Sequence, residues 1–245
     1  MIRRRLDAEL VRRGLSSSRS DAQVAVTAGR VLVRGSVALK STRLVAPDEP
    51  VVISGPPPRF VSRGGDKLDA ALDRFEIAVA GRYAVDVGAS TGGFTDCLLQ
   101  RQASHVLSID VGHGQLHERM IHHPRVTNLE RTNVRAVDVA ALGGPFSLVV
   151  VDLSFISLKT VARKLLELLA VGGDMVALEK PQFEAGRAEV SKGRGVIRDA
   201  EIHQRVCDDV EHELVQRGTV VLGWCDSPIT GAEGNREFLV HVRHQ

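Results

Sequence analysis

The sequence is poor in the residues that build cross-linked or membrane-embedded proteins. Of its 245 residues, three are cysteine, one is tryptophan and one is tyrosine. Cys97, Cys207 and Cys225 are scattered without the spacing of metal ligands, so we expect reduced thiols that pack as small apolar side chains. No apolar run approaches the roughly 18 residues of a membrane span, and no signal-peptide core follows the basic start. We therefore expect a cytoplasmic protein without stable membrane association.

The histidines show one pattern that a metal site could use. His113 and His117 have the i,i+4 spacing of a helix face, and His122 and His123 follow closely. A zinc site would also need an acidic or cysteine partner phrase, which the sequence lacks. We expect no metal ion here and interpret these histidines as part of a solvated loop or helix face.

Positive charge is concentrated at the beginning of the chain. Residues 1–60 hold eleven Lys and Arg against five Asp and Glu, whereas residues 61–245 hold twenty-one against twenty-five. Such a concentration suggests a polyanionic partner, most simply nucleic acid, although a solvated basic face is the alternative. A hydrophobic content of 43% and a mean hydropathy of −0.02 fit a soluble protein with one α/β domain and a small additional module.

The basic segment has the pattern of a small α+β unit. Leu6, Leu10, Val11 and Leu15 recur at helical spacing and predict a first helix that stops at Gly14, and a second helix is expected to end at Gly29. Val31–Val33 and Val51–Ile53 are β-rich. Gly55-Pro-Pro-Pro-Arg59 cannot continue a helix or strand, which indicates a domain boundary. We place one domain at residues 1–54, a linker at residues 55–63 and a second domain at residues 64–245.

The longer part of the chain alternates strand and helix. A helix predicted over Leu158–Leu169 is expected to end at Gly172-Gly173, and another lies near His203–Gln216. This alternation predicts an α/β fold, a Rossmann-like sheet with a late antiparallel strand. The strand-like runs are Tyr83–Val87, Val106–Ile109, Val126–Leu129, Leu148–Val151, Met175–Leu178, Val220–Trp224 and Phe238–Val242.

A glycine-rich turn, Asp86-Val-Gly-Ala-Ser-Thr-Gly-Gly-Phe94, closes the first of these strands. It lacks the Lys-Ser/Thr of a P-loop and the strict Gly-x-Gly-x-x-Gly of dinucleotide sites. Asp110 ends the next strand about twenty residues later, where an acid can hold the ribose hydroxyls of a nucleoside cofactor. S-adenosylmethionine fits best, NAD is the second choice, and a structural turn is the third. The cofactor-binding candidates are Asp86, Gly88, Ser90, Thr91, Gly92, Gly93, Phe94, Asp110 and Asn133, the last as an adenine contact.

Four charged residues lie far apart in the chain, each within a distinctive phrase. Asp152 and Lys180 come where apolar strands end, at the sheet edge where α/β proteins bind ligands. Lys67 and Glu237 complete a Lys-Asp-Lys-Glu set suited to removing a proton from a weak acid. Each residue alone also has a simpler reading: a surface charge, a cap after a strand, or a lysine extending to solvent.

Residues 3–53 resemble the S4-like RNA-binding domain. In that family a basic helical face lies against structured RNA and contacts phosphates and 2′-hydroxyls. The residues that carry the resemblance are Arg5, Leu6, Asp7, Leu10, Val11, Gly14, Leu15, Ser18, Arg19, Ala22, Gly29, Val31, Val33, Gly35 and Lys40. The RNA-binding candidates that it implies are Arg3, Arg4, Arg5, Arg12, Arg13 and Arg19. Lys192 and Arg194, in Lys192-Gly-Arg-Gly195, are added as a loop that orders on binding RNA, with an ordinary mobile loop as the alternative.

From Ser62 onward the chain resembles the FtsJ-like ribose 2′-O-methyltransferases. With the basic segment included, it is similar to the TlyA-type rRNA 2′-O-methyltransferases, a family also called hemolysins. The phrases that carry the resemblance are Ser62-Arg-Gly-Gly-Asp-Lys-Leu68, Asp86-Val-Gly-Ala-Ser-Thr-Gly-Gly-Phe-Thr-Asp96, Asp152-Leu-Ser-Phe-Ile-Ser157, Lys180-Pro-Gln-Phe-Glu184 and Ser227-Pro-Ile-Thr-Gly-Ala-Glu-Gly-Asn-Arg-Glu-Phe238.

The resemblance implies a class I methyltransferase that moves a methyl group from S-adenosylmethionine to a ribose 2′-hydroxyl in ribosomal RNA, with cytidine as the expected nucleotide. Lys67, Asp152, Lys180 and Glu237 are then the catalytic residues. We expect Lys180 to face the hydroxyl, Lys67 to add positive charge and a substrate contact, and the carboxylates to orient the lysines. The resemblance implies ribosomal RNA or ribosomal subunits as partners and no metal ion.

Three other functions fit parts of the pattern. A non-catalytic RNA-binding assembly factor could retain the fold without the activity. A membrane-active hemolysin is suggested by the family's second name, but no strongly amphipathic basic helix lies outside the RNA module. A pseudouridine synthase could share the basic module, although it has no use for the glycine-rich turn.

Overall fold

The computed structural model describes residues 3–16, 18–56, 58–231 and 233–245. Met1, Ile2, Ser17 of the serine-rich cap, Pro57 of the predicted linker and Ala232 of the last motif lie outside the described residues. The chain divides into two compact units, residues 1–62 and 63–245. This division falls within the segment 55–63 that the sequence marks as a linker.

The first unit packs two helices on short strands around a small apolar core. Ser18 caps the second helix by accepting a hydrogen bond from the Asp21 backbone N–H. Leu6, Leu10 and Val31 are fully buried in this core. The elements are β1 (Arg4–Arg5), α1 (Leu6–Arg12), α2 (Arg19–Thr27), β2 (Val31–Val33), β3 (Ser36–Val37), β4 (Leu44–Val45) and β5 (Val51–Ile53). The strands pair as β1–β4 and in the order β3-β2-β5, so the predicted α+β unit is confirmed.

The second unit is built on one large sheet. Its helices are α3 (Gly64–Arg74), α4 (Gly93–Gln100), α5 (Glu118–Ile121), α6 (Leu158–Leu168), α7 (Pro181–Glu184), α8 (Arg187–Lys192) and α9 (Ala200–Val215), with a 3₁₀ turn at Val134–Ala136. Its strands are β6 (Tyr83–Val87), β7 (His105–Ile109), β8 (Val126–Leu129), β9 (Phe146–Val151), β10 (Leu169–Glu179), β11 (Thr219–Asp226) and β12 (Phe238–His244). No helix in the described ranges is long and apolar enough to cross a bilayer.

The strand order is β11-β12-β10-β9-β6-β7-β8 among the described residues. The neighbours from β10 to β8 are parallel, whereas β12 runs antiparallel to both β10 and β11. Leu148–Val151 in the central strand is fully buried, as expected for a parallel strand covered on both faces. The predicted Rossmann-like sheet with a late antiparallel strand is therefore confirmed.

This topology brings distant polar residues to one edge of the sheet. Parallel strands end at a common edge, so Gly88, Asp110, Asp152 and Lys180, which follow β6, β7, β9 and β10, all lie there. Because β12 is antiparallel, its beginning lies at the same edge, which places Glu237 with them.

The predicted end of the helix after β9 is wrong. Helix α6 ends at Leu168, and Gly172-Gly173 lies inside β10, which begins at Leu169. The pairing of β10 with β9 shifts register between Leu169 and Asp174. Gly172 has φ +73, and a Cβ at Gly173 would lie 2.8 Å from the carbonyl oxygen of Ala170. The glycine pair thus permits an irregularity in the strand, a role that glycine also has in β-bulges.

Candidate active site

The glycine-rich turn lies directly against the end of β9. Gly88 has φ +89, and a Cβ atom added there would collide with the backbone carbonyl oxygen of Asp152. The backbones are held together by a hydrogen bond of 2.9 Å from the Asp152 N–H to the Val87 carbonyl. Glycine is therefore required at position 88 for both conformation and space.

Asp110 holds two loops in place through its carboxylate. The Ser90 N–H donates to Oδ2 at 2.7 Å, and the Gly112 N–H donates to Oδ1 at 2.6 Å. Ser90 itself has φ +46, an uncommon conformation that this hydrogen bond supports. A carboxylate has about four lone-pair positions, so Asp110 retains acceptor capacity for further hydroxyl groups.

A cavity of about 420 Å³ opens at this edge of the sheet. Its volume falls in the range of small-molecule and cofactor sites. Five residues singled out from the sequence line it: Gly88, Ser90, Asp110, Asn133 and Asp152. Asn133 is exposed, and its side-chain oxygen caps the 3₁₀ turn by accepting the Arg135 N–H at 3.0 Å, which leaves its amide N–H₂ group as a possible donor.

Asp86, also singled out from the sequence, does not line the cavity but is completely buried beneath the turn. Its Oδ2 accepts a hydrogen bond of 2.6 Å from the Thr95 hydroxyl. Burial raises the pKa of Asp86 to about 7 despite that hydrogen bond, and the charge of Asp152 adds to the rise. Asp86 therefore supports the turn from the protein interior, through its hydrogen bond with Thr95.

The remaining residues of the turn also lie outside the lining of the cavity: Thr91, Gly92, Gly93 and Phe94. Gly92 has φ +92 and precedes α4, and a Cβ there would lie 2.8 Å from the Leu116 side chain. Phe94 is buried, and Thr91 is exposed. These residues shape the helix start rather than the wall of the cavity.

Lys180 and Asp152 form the first of two ion pairs at the sheet edge. The Lys180 Nζ lies 2.5 Å from Asp152 Oδ1 and donates a hydrogen bond of 2.8 Å to the Ser154 hydroxyl. The Lys180 side chain is 10% exposed and that of Asp152 is 23% exposed. Because Asp152 also lines the cavity, this pair sits directly at its wall.

Lys67 and Glu237 form the second ion pair, with 2.5 Å between Nζ and Oε2. Both side chains are buried, and 170 positions separate them in the chain. Lys67 lies in the first turns of α3, and Glu237 precedes β12. A Cβ at Gly231 would lie 2.7 Å from Glu237 Oε1, so the chain passes close to this carboxylate.

The register of the sheet connects the two pairs. Glu179 of β10 faces Phe238 of β12, and Lys180 and Glu237 are the next residues beyond that pair at the same edge. The two ion pairs thus lie at the same edge of the sheet as the cavity, although of these four residues only Asp152 lines it. Such a set can position a weakly acidic hydroxyl and receive its proton.

Comparison with known proteins agrees with this architecture. The profile of the FtsJ-like methyltransferase family matches residues 60–244, and the profile of the S4 domain matches residues 4–49. The chain belongs to the FtsJ-like methyltransferase family. Residues 63–245 are called the methyltransferase unit and residues 1–62 the S4 unit below.

Three similar proteins illustrate the relationship. The 16S/23S rRNA (cytidine-2′-O)-methyltransferase TlyA of Mycobacterium tuberculosis is 45% identical over 99% of this chain and 91% of its own length. A hemolysin-named structure from Streptococcus thermophilus shares 38% identity and a TM-score of 0.78, and the match covers 100% of this chain and 90% of that one. The N-methyltransferase NodS of Bradyrhizobium japonicum, solved with S-adenosyl-L-homocysteine, shares only the fold: 16% identity, a TM-score of 0.53, and coverage of 74% and 88%.

Phe155 is a residue of the methyltransferase unit that sequence reasoning missed. It lines the cavity, is 91% exposed and has φ +65, an outlying conformation for a bulky residue. Its ring centroid lies 5.3 Å from that of Phe183. The sequence signal for Phe155 was its position within the phrase Asp152-Leu-Ser-Phe-Ile-Ser157. An exposed ring beside a cavity is a surface on which a nucleobase can stack.

Glu179 was also missed, although a glutamate that ends an apolar strand directly before Lys180 is a visible signal. It is fully buried, and its Oε1 has no hydrogen-bond partner within the described ranges. Burial raises the pKa of Glu179 to about 8, and the charges of Glu184 and Glu237 add to the rise. Glu184 caps α6 by accepting hydrogen bonds from Ser157 and the Leu158 N–H.

The arginines predicted to bind RNA differ in how free they are. Arg3 and Arg4 are exposed. Arg5, Arg12 and Arg19 are about half exposed and pair with buried carboxylates, Arg5 and Arg19 with Asp7 and Arg12 with Glu9. Arg13 is instead largely structural. It pairs with Glu9 and donates to the carbonyls of Ala46, Pro47 and Glu49.

The histidines and cysteines were candidates for a metal site, and the described residues show how each is placed. In the described part of the chain, no group of three or more His, Cys, Asp or Glu side chains could hold an ion, and Cys97, Cys207 and Cys225 are not in disulfides. His113 pairs with Glu130 at 2.6 Å. The expectation of a solvated face is wrong for His117. It is buried at the start of α5, where its Nδ1 accepts the Arg119 N–H.

Proposed function

We propose that the protein transfers a methyl group from S-adenosylmethionine to the 2′-hydroxyl of a ribose in ribosomal RNA, at a cytidine, in the cytoplasm. The observation that carries this proposal is the pair of ion pairs, Lys180–Asp152 and Lys67–Glu237, at the sheet edge beside the cavity. The name of the Mycobacterium tuberculosis relative supports the choice of substrate, and the S4 profile supports an RNA partner.

The residues around the cavity fit a nucleoside cofactor. Gly88 lines the cavity, and because it has no side chain the turn can pack directly against the Asp152 backbone at the end of β9. Asp110 has the acceptors for ribose hydroxyls, and Asn133 has an amide for adenine. When bound, S-adenosylmethionine supplies a methyl group on a positively charged sulfur, which needs no metal ion to activate it.

The methyltransferase unit contributes position and proton handling. The Lys180 Nζ is fixed by Asp152 and Ser154, so it can hold the ribose hydroxyl and assist the removal of its proton. Lys67, held by Glu237, contributes a second positive charge to the same edge. Fixing the hydroxyl oxygen in line with the transferred carbon can contribute several kcal/mol of the roughly 7–11 kcal/mol available from orientation.

The test is a methylation assay with labelled S-adenosylmethionine and purified small or large ribosomal subunits, followed by mapping of alkali-resistant linkages. We expect label on a ribose, and a loss of about 10²-fold or more in rate with Lys180→Ala because the group that handles the proton is removed. Lys164→Ala is the matched control, since Lys164 pairs with Glu167 on α6. Label on a base contradicts the proposal.

The same assay separates the proposal from a non-catalytic assembly factor. Such a factor would bind subunits in a filter-binding experiment but transfer no label, even as the unsubstituted protein. Under the proposal, Lys180→Ala binds subunits like the unsubstituted protein and fails only in methyl transfer.

A further inference from the structure

The basic turn that follows α8 is held by a buried asparagine. Lys192 ends α8, and Arg194 and Gly195 both have positive φ, +50 and +89. The Asn235 side chain, 1% exposed, donates a hydrogen bond of 3.0 Å to the Gly195 carbonyl. Its Oδ1 accepts the Ile197 N–H at 2.9 Å. One amide side chain therefore fixes the end of the turn in two directions.

Ile197 has a second anchor on α9. The His203 Nε2 lies 3.1 Å from the Ile197 carbonyl oxygen, within hydrogen-bond distance, and both residues are buried. Within the turn, the Val196 N–H donates to the Gly193 carbonyl at 3.0 Å. The turn is thus tied to the methyltransferase unit, unlike the sequence expectation of a loop that orders on binding.

Asn235 lies two residues before Glu237. Its own carbonyl accepts the Gly231 N–H at 2.9 Å, and a Cβ at Gly231 would contact Glu237 Oε1. The short segment before β12 therefore holds the basic turn through Asn235 and carries the carboxylate that pairs with Lys67.

Two exposed cations are presented by this turn, Lys192 and Arg194. A cation on a pre-ordered turn contacts an RNA phosphate without the entropy cost of ordering the backbone first.

We propose that Asn235 is a positioning residue for the RNA: it locks the turn that presents Lys192 and Arg194 onto the segment that carries Glu237. The spacing between the phosphate contact and the catalytic edge is then constant. This inference rests on the proposed function, because it assigns the turn to the RNA substrate of that reaction.

The test compares Asn235→Ala, the double variant Lys192→Ala/Arg194→Ala and the triple variant. We expect Asn235→Ala to raise KM for ribosomal subunits about tenfold and to lower kcat by less than about threefold. The affinity for S-adenosyl-L-homocysteine stays unchanged, because Asn235 is not part of the cavity lining. Hydrogen exchange of the peptide that covers residues 193–197 becomes faster.

The triple variant distinguishes a positioning role from a merely structural one. If Asn235 acts through the two cations, Asn235→Ala adds no further rise in KM to the double variant, whereas independent effects multiply. A multiplied KM, or unchanged hydrogen exchange in residues 193–197, overturns the inference. Should Asn235→Ala not fold, Asn235→Asp decides. It keeps the acceptor for the Ile197 N–H and loses the donor to the Gly195 carbonyl, so a KM equal to that of the unsubstituted protein overturns the inference.

The two proposals fail in different ways. If the unsubstituted protein transfers no methyl group to any ribose, the proposed function is wrong, while hydrogen exchange and subunit binding still report whether Asn235 holds the turn. If methyl transfer is present but the effects of the variants multiply, the proposed function stands and the role of Asn235 is refuted.

Discussion

The buried carboxyl group of Asp86 should make the stability of the methyltransferase unit depend on pH. Asp86 is fully buried, and its Oδ1 has no hydrogen-bond partner in the part of the chain that the structure describes. Burial raises its pKa from 3.8 to about 7. The folded state holds the Asp86 proton more tightly than the unfolded state does. The contribution of this proton to the unfolding free energy is therefore complete below pH 3.8 and is lost as the pH rises through about 7. Over that interval the unfolding free energy falls by about 4 kcal/mol.

Asp86→Asn removes this titration and keeps the shape of the side chain. Its amide oxygen can still accept the hydrogen bond from Thr95. Burying the new amide N–H₂ group costs about 1–3 kcal/mol, but that cost does not change with pH. The difference in unfolding free energy between variant and unsubstituted protein should therefore move in favour of the variant as the pH rises, by up to about 4 kcal/mol in total.

Urea unfolding at several values between about pH 5 and pH 8 measures the part of this difference that falls in that range, about 2–3 kcal/mol. Asp226→Asn is the matched control, since it makes the same change on a side chain that is 63% exposed and pairs with Arg236 at the surface. Parallel stability curves for Asp86→Asn and the unsubstituted protein, within about 1 kcal/mol over the whole range, would refute the reasoning.

Three further outcomes are expected. Glu237→Gln should lower the unfolding free energy by about 3–5 kcal/mol in urea, because it leaves the Lys67 ammonium buried without its partner. Adding Lys67→Met to this variant should restore much of the loss, and equal stability of the unsubstituted protein, the single variant and the double variant would contradict the reasoning. Burial raises the pKa of Glu179 to about 8, so its deprotonation should lower the unfolding free energy as the pH rises towards that value. In the same urea series, Glu179→Gln should lack this decrease; an unchanged decrease would show that Glu179 is not its cause. Gly88→Ala should weaken S-adenosyl-L-homocysteine binding at least about tenfold by calorimetry, because the new methyl group collides with the Asp152 backbone; intact affinity would show that the turn is not the cofactor site.

Much of the secondary structure followed from local pattern. The runs Tyr83–Val87 and Val126–Leu129 form strands with those same bounds, because each is a short β-rich run between polar or glycine-containing turns. The irregularity at Gly172-Gly173 could not be predicted in this way. It depends on how β10 pairs with β9, and a register shift is a property of two strands rather than of one.

The residues of the candidate site could be chosen from the sequence, but their partners could not. The rule that parallel strands end at one edge placed Asp152 and Lys180 together. Nothing local indicated that Lys67 would pair with Glu237, or that Asp86 would be buried beneath the cavity while Asp110 lines it. These outcomes depend on side chains that meet across the sheet.

By itself, the sequence determined the division into two units, the order of the seven strands of the large sheet along the chain, and the set of charged candidate residues, because apolar periodicity and turn residues act over a few neighbouring positions. Only the tertiary structure decided which charges neutralise each other, that Asn235 holds the basic turn, and that burial raises the pKa of Glu179. Electrostatic energies depend on distance and on exclusion of water, and both arise only when segments separated by many residues pack together.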